Sequence, residues 1–507
     1  MAKSRAEKVA KNVVFNILVE VVKLACGLIL PRLILSNYGS AYNGIVQSVT
    51  QFLTCVALMK MGIGGATKAA LYKPLAEKNG DEINNVIAST EAFMRKIAVI
   101  FVGFVLVFAC LYPIIVSNEF GWVFTFFLII VISLSTFAEY YFGFTYQMLI
   151  GADQKEYIYS ILSIVTIVLN TIVSVILINN NFSIHIVKLG SSLVNVITPI
   201  YLYVYCHNHY NLKKVDKNSI RPIAQRWDAF AHEIASFVND NTDIMILSLF
   251  VNMLEVSVYT VYHYVIINLK KVVTSFTTGF GPAFGDMYVK NEQENMNINL
   301  NVYELMVFSF VSVVYSTTLV MIIPFVLVYT KGIDDVNYSR LVFSIIITFG
   351  GAFDCFRYPY KQIINNTGHY KQTRNIAIAE AVINIAVSII MVAKFGLVGV
   401  SIGTLSAMLF GYIMYSNYVS KNIVKRDQKT SYIHVLLTIV IMIIIYLSSK
   451  AFMVEIDSYF MWVVYATITA IISCMVTVAV DYVFYKESFF EVIRISKRIF
   501  LKKLKIK

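Results

Sequence analysis

Eight basic side chains interrupt long apolar segments of this 507-residue chain, and they are the first residues that could do chemistry. They are Lys23, Arg32, Lys60, Lys68, Lys188, Lys270, Lys271 and Arg357. A charge at the centre of a membrane helix costs about 2.5–3.5 kcal/mol, so such side chains seldom face lipid. Lys23, Lys60 and Lys270 lie deepest in their segments and are predicted to line a water-filled cationic cavity. Such a cavity would attract an anion such as a phosphate or diphosphate.

The alternative for these cations is that they pair internally or extend to the membrane surface. Lys68 and Lys188 lie near the ends of their segments, where a long side chain reaches the interface, and we expect them to do so. Arg32 follows Pro31 near a segment end, so a ligand-binding role and an interfacial role both stay open.

Two carboxylates, Asp240 and Asp243, lie one turn apart on a single predicted helix and therefore share a face. A buried carboxylate binds protons more readily, so this pair could couple transport to protons or sodium ions. Pairing with the basic residues above is the alternative. The chain has no P-loop, Rossmann fingerprint or hydrolase motif, and no histidine or cysteine pattern with metal-ligand spacing. We therefore expect no enzyme, no cofactor and no metal site.

The elements that position these residues must be membrane helices. Hydrophobic residues make up 58% of the chain and charged residues only 14%, with a mean hydropathy of +0.69, whereas soluble proteins carry about 25% charged residues. Continuous apolar runs recur, each long enough to cross a bilayer as a helix. The predicted fold is an all-α polytopic membrane protein with about fourteen transmembrane helices. The predicted spans are 12–35, 43–70, 93–117, 121–149, 157–179, 184–206, 227–252, 256–287, 303–330, 339–365, 372–393, 397–419, 432–450 and 459–483.

Charge in the loops predicts the orientation. Lys and Arg are concentrated in one set of alternate loops and almost missing from the other set, which is the positive-inside pattern. Both termini are therefore predicted to be cytoplasmic. The net charge of +12 is explained by these loops and by anionic lipid, so we expect no nucleic acid as a partner.

Two segments of similar sequence indicate an internal repeat. Residues 169–178 read LNTIVSVILI and residues 383–392 read INIAVSIIMV. Parallel repeats of this kind predict two pseudo-symmetric six-helix bundles with a cavity between them. The predicted division is a first lobe at 1–206, a cytoplasmic linker at 207–226, a second lobe at 227–430, two additional helices at 431–485 and a tail at 486–507. The tail is predicted to form a basic amphipathic helix on anionic lipid, with a disordered basic tail as the alternative.

Three stretches give the chain a family resemblance. They are SNYG at 36–39, MGIGGATKAALYKPLAEKNGDEINNVIASTEAFMRKI at 61–97 and NDNTDIMILSLF at 239–250. Together with the helix plan, they resemble bacterial polysaccharide flippases, the O-antigen and repeat-unit translocases of the multidrug/oligosaccharidyl-lipid/polysaccharide exporter superfamily. The resemblance implies alternating access in the cytoplasmic membrane and a polyprenyl-diphosphate-linked oligosaccharide as cargo for lipopolysaccharide or another surface polysaccharide. It also implies that cationic residues meet the diphosphate, a role carried onto Lys23, Arg32, Lys60, Lys270 and Lys271.

Two other functions compete with this one. A cation-coupled multidrug exporter of the same superfamily would have twelve spans and a cavity richer in acidic and aromatic groups. A membrane polysaccharide polymerase or ligase would need a large extracytoplasmic loop, and the predicted outer loops are very short. The resemblance leaves room for other polysaccharide-assembly proteins as partners.

Overall fold

The computed structural model of the chain describes residues 2–60, 63–213, 230–277, 280–449 and 455–494. All regular elements in these ranges are helices, and seventeen α-helices between residues 2 and 484 are numbered α1 to α17. They are α1 (Ala2–Tyr38), α2 (Ser40–Thr54), α3 (Ile63–Glu77), α4 (Gly80–Ile115), α5 (Trp122–Ala138), α6 (Phe144–Ala152), α7 (Glu156–Asn179), α8 (Ile184–Tyr210), α9 (Phe230–Phe250), α10 (Met253–Thr277), α11 (Gly281–Val289), α12 (Gln293–Tyr329), α13 (Leu341–Phe356), α14 (Tyr358–Thr367), α15 (Tyr370–Tyr418), α16 (Lys429–Ser449) and α17 (Tyr459–Phe484).

The prediction of an all-α polytopic membrane protein is confirmed. Ten helical segments within the described ranges are long and apolar enough to cross a membrane. One of them, Tyr370–Val424, contains two predicted spans, because Gly396 interrupts α15 with a non-helical φ of 52° and ψ of −125°. The predicted spans 43–70, 227–252 and 256–287 are also helical in their described parts apart from 251–252, although they are not among the ten.

Several membrane helices are interrupted where the sequence weakens regular α-helix. A 3₁₀ turn, Cys55–Lys60, follows α2 just before the glycine-rich start of α3. A π turn, Glu139–Gly143, separates α5 from α6. Pro282 near the start of α11 lacks an amide hydrogen, so it suits a helix start but not a helix interior. These interruptions matter because π turns in particular occur often at functional sites.

The helices form two compact units, each with its own buried core. The N-terminal unit runs to Ile234 and includes Asn252–Ser257, and the C-terminal unit comprises Ala235–Val251 and the chain from Val258 onwards. In the N-terminal unit, the carboxylate of Glu119 accepts the Met253 amide at 3.0 Å, and the Asn43 amide donates to the Ser257 hydroxyl at 2.9 Å. The first turn of α10 is therefore held in the N-terminal unit.

The last two long helices, α16 and α17, pack on α12 within the C-terminal unit. The hydroxyl of Ser309 donates to Asp481 at 2.5 Å, and the Trp462 indole donates to the Met321 carbonyl at 3.0 Å. Glu304 of α12 accepts from Ser431 of α16 at 3.0 Å and is ion-paired with Arg426. Apolar residues from all three helices complete this packing, including Val320, Ile441 and Ile445.

The order of elements repeats along the chain, in agreement with the sequence repeat. An interrupted second helix, a long third helix and an interrupted fourth helix appear as α2–α3, α4 and α5–α6, and again as α10–α11, α12 and α13–α14. A helical pair follows each time, α7 with α8 and the two arms of α15. The division into lobes, linker and tail stays a prediction, because 214–229 of the linker and 495–507 of the tail lie outside the described residues.

Candidate functional site

The N-terminal unit holds an ion pair at two helix interruptions. Lys60 ends the 3₁₀ turn after α2, and Glu139 begins the π turn after α5. The Lys60 ammonium lies 2.6 Å from the Glu139 carboxylate and 4.9 Å from the centre of the Tyr140 ring. The carboxylate thus neutralises much of the Lys60 charge, and the aromatic face adds a cation–π contact.

Two cavities in the N-terminal unit share a wall that contains this ion pair's carboxylate. One has a volume of about 320 Å³ and the other about 280 Å³, and both are lined by Ser135, Thr136, Glu139 and Asn195. Lys60 and Lys188 line the larger cavity, whereas Lys23 lines the smaller one. Both walls are rich in hydroxyl groups, so these are polar spaces inside an otherwise apolar helix bundle.

Lys23 and Lys188 differ in how their charges are balanced. The Lys23 ammonium pairs with Glu20 at 2.9 Å, and both side chains are about half exposed. Lys188 is half-buried in the second turn of α8 and has no hydrogen-bond or ion-pair partner anywhere in the ranges that the structure describes. Lys188 therefore contributes an unneutralised cation to the larger cavity.

In the C-terminal unit, a chain of alternating charges crosses α9, α10, α13 and α15. The Lys270 ammonium lies 2.9 Å from Asp240 and 2.5 Å from Asp354. Asp354 also pairs with Arg357 at 2.6 Å, and Arg357 in turn contacts Glu380. Arg357 and Glu380 are only 3% and 1% exposed. In the core of the unit, these charges are therefore stabilised by one another instead of by water.

Asp243 lies beside this network but is not part of it. Its Oδ2 accepts from the Tyr259 hydroxyl at 2.7 Å and from the Thr404 hydroxyl at 2.6 Å. Its Oδ1 is buried and has no hydrogen-bond partner among the described residues. Asp243 lines a small cavity of about 50 Å³ together with Asp240 and Lys270, which is space for only a few water molecules or a small ion.

The two units place equivalent ion pairs at equivalent elements. Lys60 on the interrupted second helix meets Glu139 at the break in the fourth helix, and Lys270 on α10 meets Asp354 near the α13–α14 break. The internal repeat therefore extends from sequence and helix order to the charged site itself. The second unit adds further charges to its pair, namely Asp240, Arg357 and Glu380.

The predicted binding residues divide between these places. The structure puts Lys23 and Lys60 at the two N-terminal cavities, and it brings Lys270, Asp240 and Asp243 together at the C-terminal cavity. Arg32 is half-buried near the end of α1, and Lys271 is exposed on α10; neither lines these three cavities. The pairing that we gave as the alternative for Asp240 and for Lys270 is present, since these two bind each other.

Sequence reasoning missed Lys188, which was expected to extend to the membrane surface. The structure instead places it in the wall of the larger cavity. A signal was present, because Ser191, Ser192 and Asn195 follow Lys188 at three, four and seven residues and so share its helix face. That polar face on an apolar helix indicated a cavity.

Comparison with known proteins identifies the fold. No model of a known protein family matches the chain, and no curated protein matches its sequence. The arrangement of helices is nevertheless shared with solved structures of a lipid II flippase and of a MATE family transporter, so this chain is a polytopic membrane protein with the fold of those structures.

Three solved structures show the extent of this structural similarity. The structure "Lipid II flippase MurJ, inward closed conformation" is similar with a TM-score of 0.69 at 15% identity, covering 93% of this chain and 99% of that one. An inward-facing MATE family transporter of the MOP superfamily has a TM-score of 0.56 at 13% identity, covering 79% of this chain and 95% of that one. A mutant of the Vibrio cholerae MATE transporter VcmN has a TM-score of 0.55 at 14% identity, covering 84% and 99%. At these identities the likeness shows a shared fold.

Proposed function

We propose that this protein is a flippase that moves a polyprenyl-diphosphate-linked oligosaccharide across the bacterial cytoplasmic membrane by alternating access, for surface polysaccharide biosynthesis. Both termini would be cytoplasmic. The observation that carries the proposal is the pair of polar cavities in the N-terminal unit, which are lined by lysines and hydroxyl groups. Ammonium groups suit an anionic group of the cargo, and hydroxyl groups suit its sugars.

The extent of the structural likeness supports a flippase over a multidrug exporter. The solved lipid II flippase covers 93% of this chain, whereas the two MATE transporters cover 79% and 84%. An exporter of organic cations would also need acidic or aromatic cavity walls to hold its cargo. In the larger N-terminal cavity, Lys60 balances the one carboxylate and Lys188 leaves an excess of positive charge.

The C-terminal cavity supports a proposal for ion coupling at Asp243. Asp240 forms an ion pair with Lys270, whereas Asp243 has a buried oxygen without a hydrogen-bond partner in the described part of the chain. Oxygen ligands suit sodium, and a buried carboxylate also suits a proton. We therefore place the coupling role at Asp243, with Asp240 holding Lys270 next to it.

Vesicle transport tests the coupling role. Asp243→Asn keeps the shape of the side chain, and its amide oxygen can still accept from the Tyr259 and Thr404 hydroxyls. Because the negative charge is removed, we expect transport to lose its dependence on an imposed sodium or proton gradient. The measurement compares initial rates in proteoliposomes with and without each gradient. An unchanged response to both gradients would remove Asp243 from the coupling role.

Polysaccharide export tests the cationic cavity. Lys60→Ala should impair surface polysaccharide export while the amount of protein in the membrane stays normal. This variant also leaves the Glu139 carboxylate without its ion-pair partner. The double variant Lys60→Gln/Glu139→Gln avoids this, because its two amides can still hydrogen-bond to each other although the cation has been removed. We expect the double variant to be defective too, and Lys73→Gln, a 79% exposed lysine, to export normally. Full export by the double variant would contradict a role for the Lys60 cation.

A further inference from the structure

We propose that the larger cavity of the N-terminal unit is a sugar-carboxylate site, in which Lys188 binds the carboxylate of an acidic sugar in the cargo. This inference rests on the proposed flippase function and adds the chemical class of the saccharide. Besides Lys188, the wall of this cavity carries aliphatic hydroxyl groups from Thr50, Thr54, Ser135, Thr136, Ser191 and Ser192.

The charge balance of the cavity leaves one positive charge for a ligand. Lys60 and Glu139 neutralise each other at 2.6 Å. Lys188 has no partner in the described part of the chain, so its charge is the one in this cavity that a ligand can balance. One uncompensated cation matches one negative charge, which a carboxylate carries, better than the several charges of a diphosphate.

Four of the six hydroxyl groups in this wall, those of Thr50, Thr54, Ser135 and Ser192, already donate to main-chain carbonyls and are therefore left to accept from a ligand. Thr50 donates its hydroxyl to the Val46 carbonyl at 2.7 Å, and Ser192 donates to the Val131 carbonyl at 2.8 Å. Their lone pairs remain available because a hydroxyl has one hydrogen and two acceptor positions. Sugar hydroxyls can donate to such acceptors, whereas an anion needs donors, and Lys188 supplies these.

The dimensions of the cavity agree with this class of ligand. Its volume of about 320 Å³ lies at the lower end of the range of about 300–1,000 Å³ that small-molecule sites occupy. Its wall is formed by α2 and the 3₁₀ turn after it, by α5 and the π turn after it, and by α8. A saccharide bound there would contact all three.

Equilibrium binding to the purified full-length protein in detergent tests the site. The probes are methyl β-D-glucuronide, its neutral counterpart methyl β-D-glucoside, and farnesyl diphosphate as a stand-in for the carrier. A charge-assisted hydrogen bond to Lys188 should make the glucuronide bind about tenfold more tightly than the glucoside. Lys188→Gln should bring that ratio close to one, and Lys188→Arg should keep a preference. Lys394→Gln removes an exposed lysine of the C-terminal unit and should keep the wild-type ratio.

The possible outcomes distinguish failure of the sugar-carboxylate site from failure of the proposed flippase function. Equal binding of glucuronide and glucoside to the wild-type protein would overturn the site, and so would a Lys188→Gln variant that keeps the preference. A Lys188→Gln variant that loses only farnesyl diphosphate binding would assign Lys188 to the carrier's diphosphate and also overturn the site. If the glucuronide preference depends on Lys188 but proteoliposomes flip no lipid-linked saccharide, the site stands and the flippase proposal fails.

Discussion

Three lysines that line cavities in this protein differ in how many carboxylates balance their charge. Lys60 has one carboxylate, Lys270 has two, and Lys188 has none among the described residues. A cation that is already doubly paired gains little from an anionic cargo, because the cargo must displace its carboxylates. At the scale of single residues, ligand binding is therefore expected first at Lys188, which has no carboxylate partner in the described ranges, and next at the singly paired Lys60, while Lys270 holds the acidic residues of its own unit in place.

The buried pair of Arg357 and Glu380 should be important for stability. Arg357→Met leaves Glu380 buried and uncompensated, and breaking a buried pair in this way costs about 3–5 kcal/mol. The double variant Arg357→Met/Glu380→Leu removes both charges and should recover much of that loss. The measurement is the thermal unfolding midpoint of the purified protein in detergent.

A matched control for this pair is available in the N-terminal unit. Arg95 and Glu91 also form an arginine–glutamate pair, but Arg95 is 56% exposed, and exposed pairs contribute about 0–1 kcal/mol. Arg95→Met should therefore lower the unfolding midpoint far less than Arg357→Met. Equal losses in the two variants would show that burial does not determine the contribution of Arg357.

Sequence patterns found the charged side chains and offered pairing with basic residues as an alternative for Asp240, but they did not identify the individual pairs. The cost of charge in an apolar segment identified Lys60, Lys270, Asp240 and Asp243 as residues with a special environment. The pairing of Lys60 with Glu139 could not be predicted, because it depends on which helices meet and on how the 3₁₀ and π turns rotate the two side chains. Lys188 was assigned to the membrane surface because its position near a segment end outweighed its polar neighbours.

At the scale of elements, close approach between helix backbones is allowed by particular glycines. The Gly396 turn brings the two arms of α15 together, and a Cβ added at Gly399 would collide with the main-chain carbonyl of Met391. A main-chain atom cannot move aside as a flexible side chain can. Gly399 is thus required by the packing of this helical pair.

Substitution of Gly399 should destabilise the protein despite the higher helix propensity of alanine. We expect Gly399→Ala to cost about 1–3 kcal/mol, the usual range for overpacking, and to lower the thermal unfolding midpoint in detergent. Gly103→Ala is the control, because a Cβ there meets nothing within 4 Å and helix propensity favours alanine by up to about 1 kcal/mol. A Gly399→Ala variant as stable as Gly103→Ala would contradict the close approach.

Hydropathy predicted the apolar middle of the helices better than their first and last residues. The third predicted span began at residue 93, but α4 begins at Gly80, where the Asn79 side chain accepts the Glu82 amide and acidic residues occupy the first turn. Likewise, the predicted span 303–330 is the apolar part of α12, which begins at Gln293. Capping and charge set these starts, and an apolar-run criterion does not detect them.

At the scale of the whole molecule, the loop charges predict an orientation that labelling can measure. In a background without the six native cysteines, Asn180→Cys in the short turn after α7 should react with a membrane-impermeant maleimide from outside the cell. Lys73→Cys, on an exposed position of α3, should react only after the membrane is opened. The physical reason is the excess of Lys and Arg in the loops on the α3 side. The reverse labelling pattern would contradict the predicted topology.

The central claim is that the protein moves a polyprenyl-diphosphate-linked oligosaccharide across the membrane, and the lipid intermediates of cells that lack it test this most directly. The intermediates are extracted and identified by mass spectrometry, and the leaflet of their sugars is found with a membrane-impermeant lectin on vesicles of known orientation. We predict the build-up of one polyprenyl-diphosphate-linked oligosaccharide whose sugars face the cytoplasm, together with loss of a surface polysaccharide. Unchanged lipid-linked pools and a normal cell surface would contradict the account.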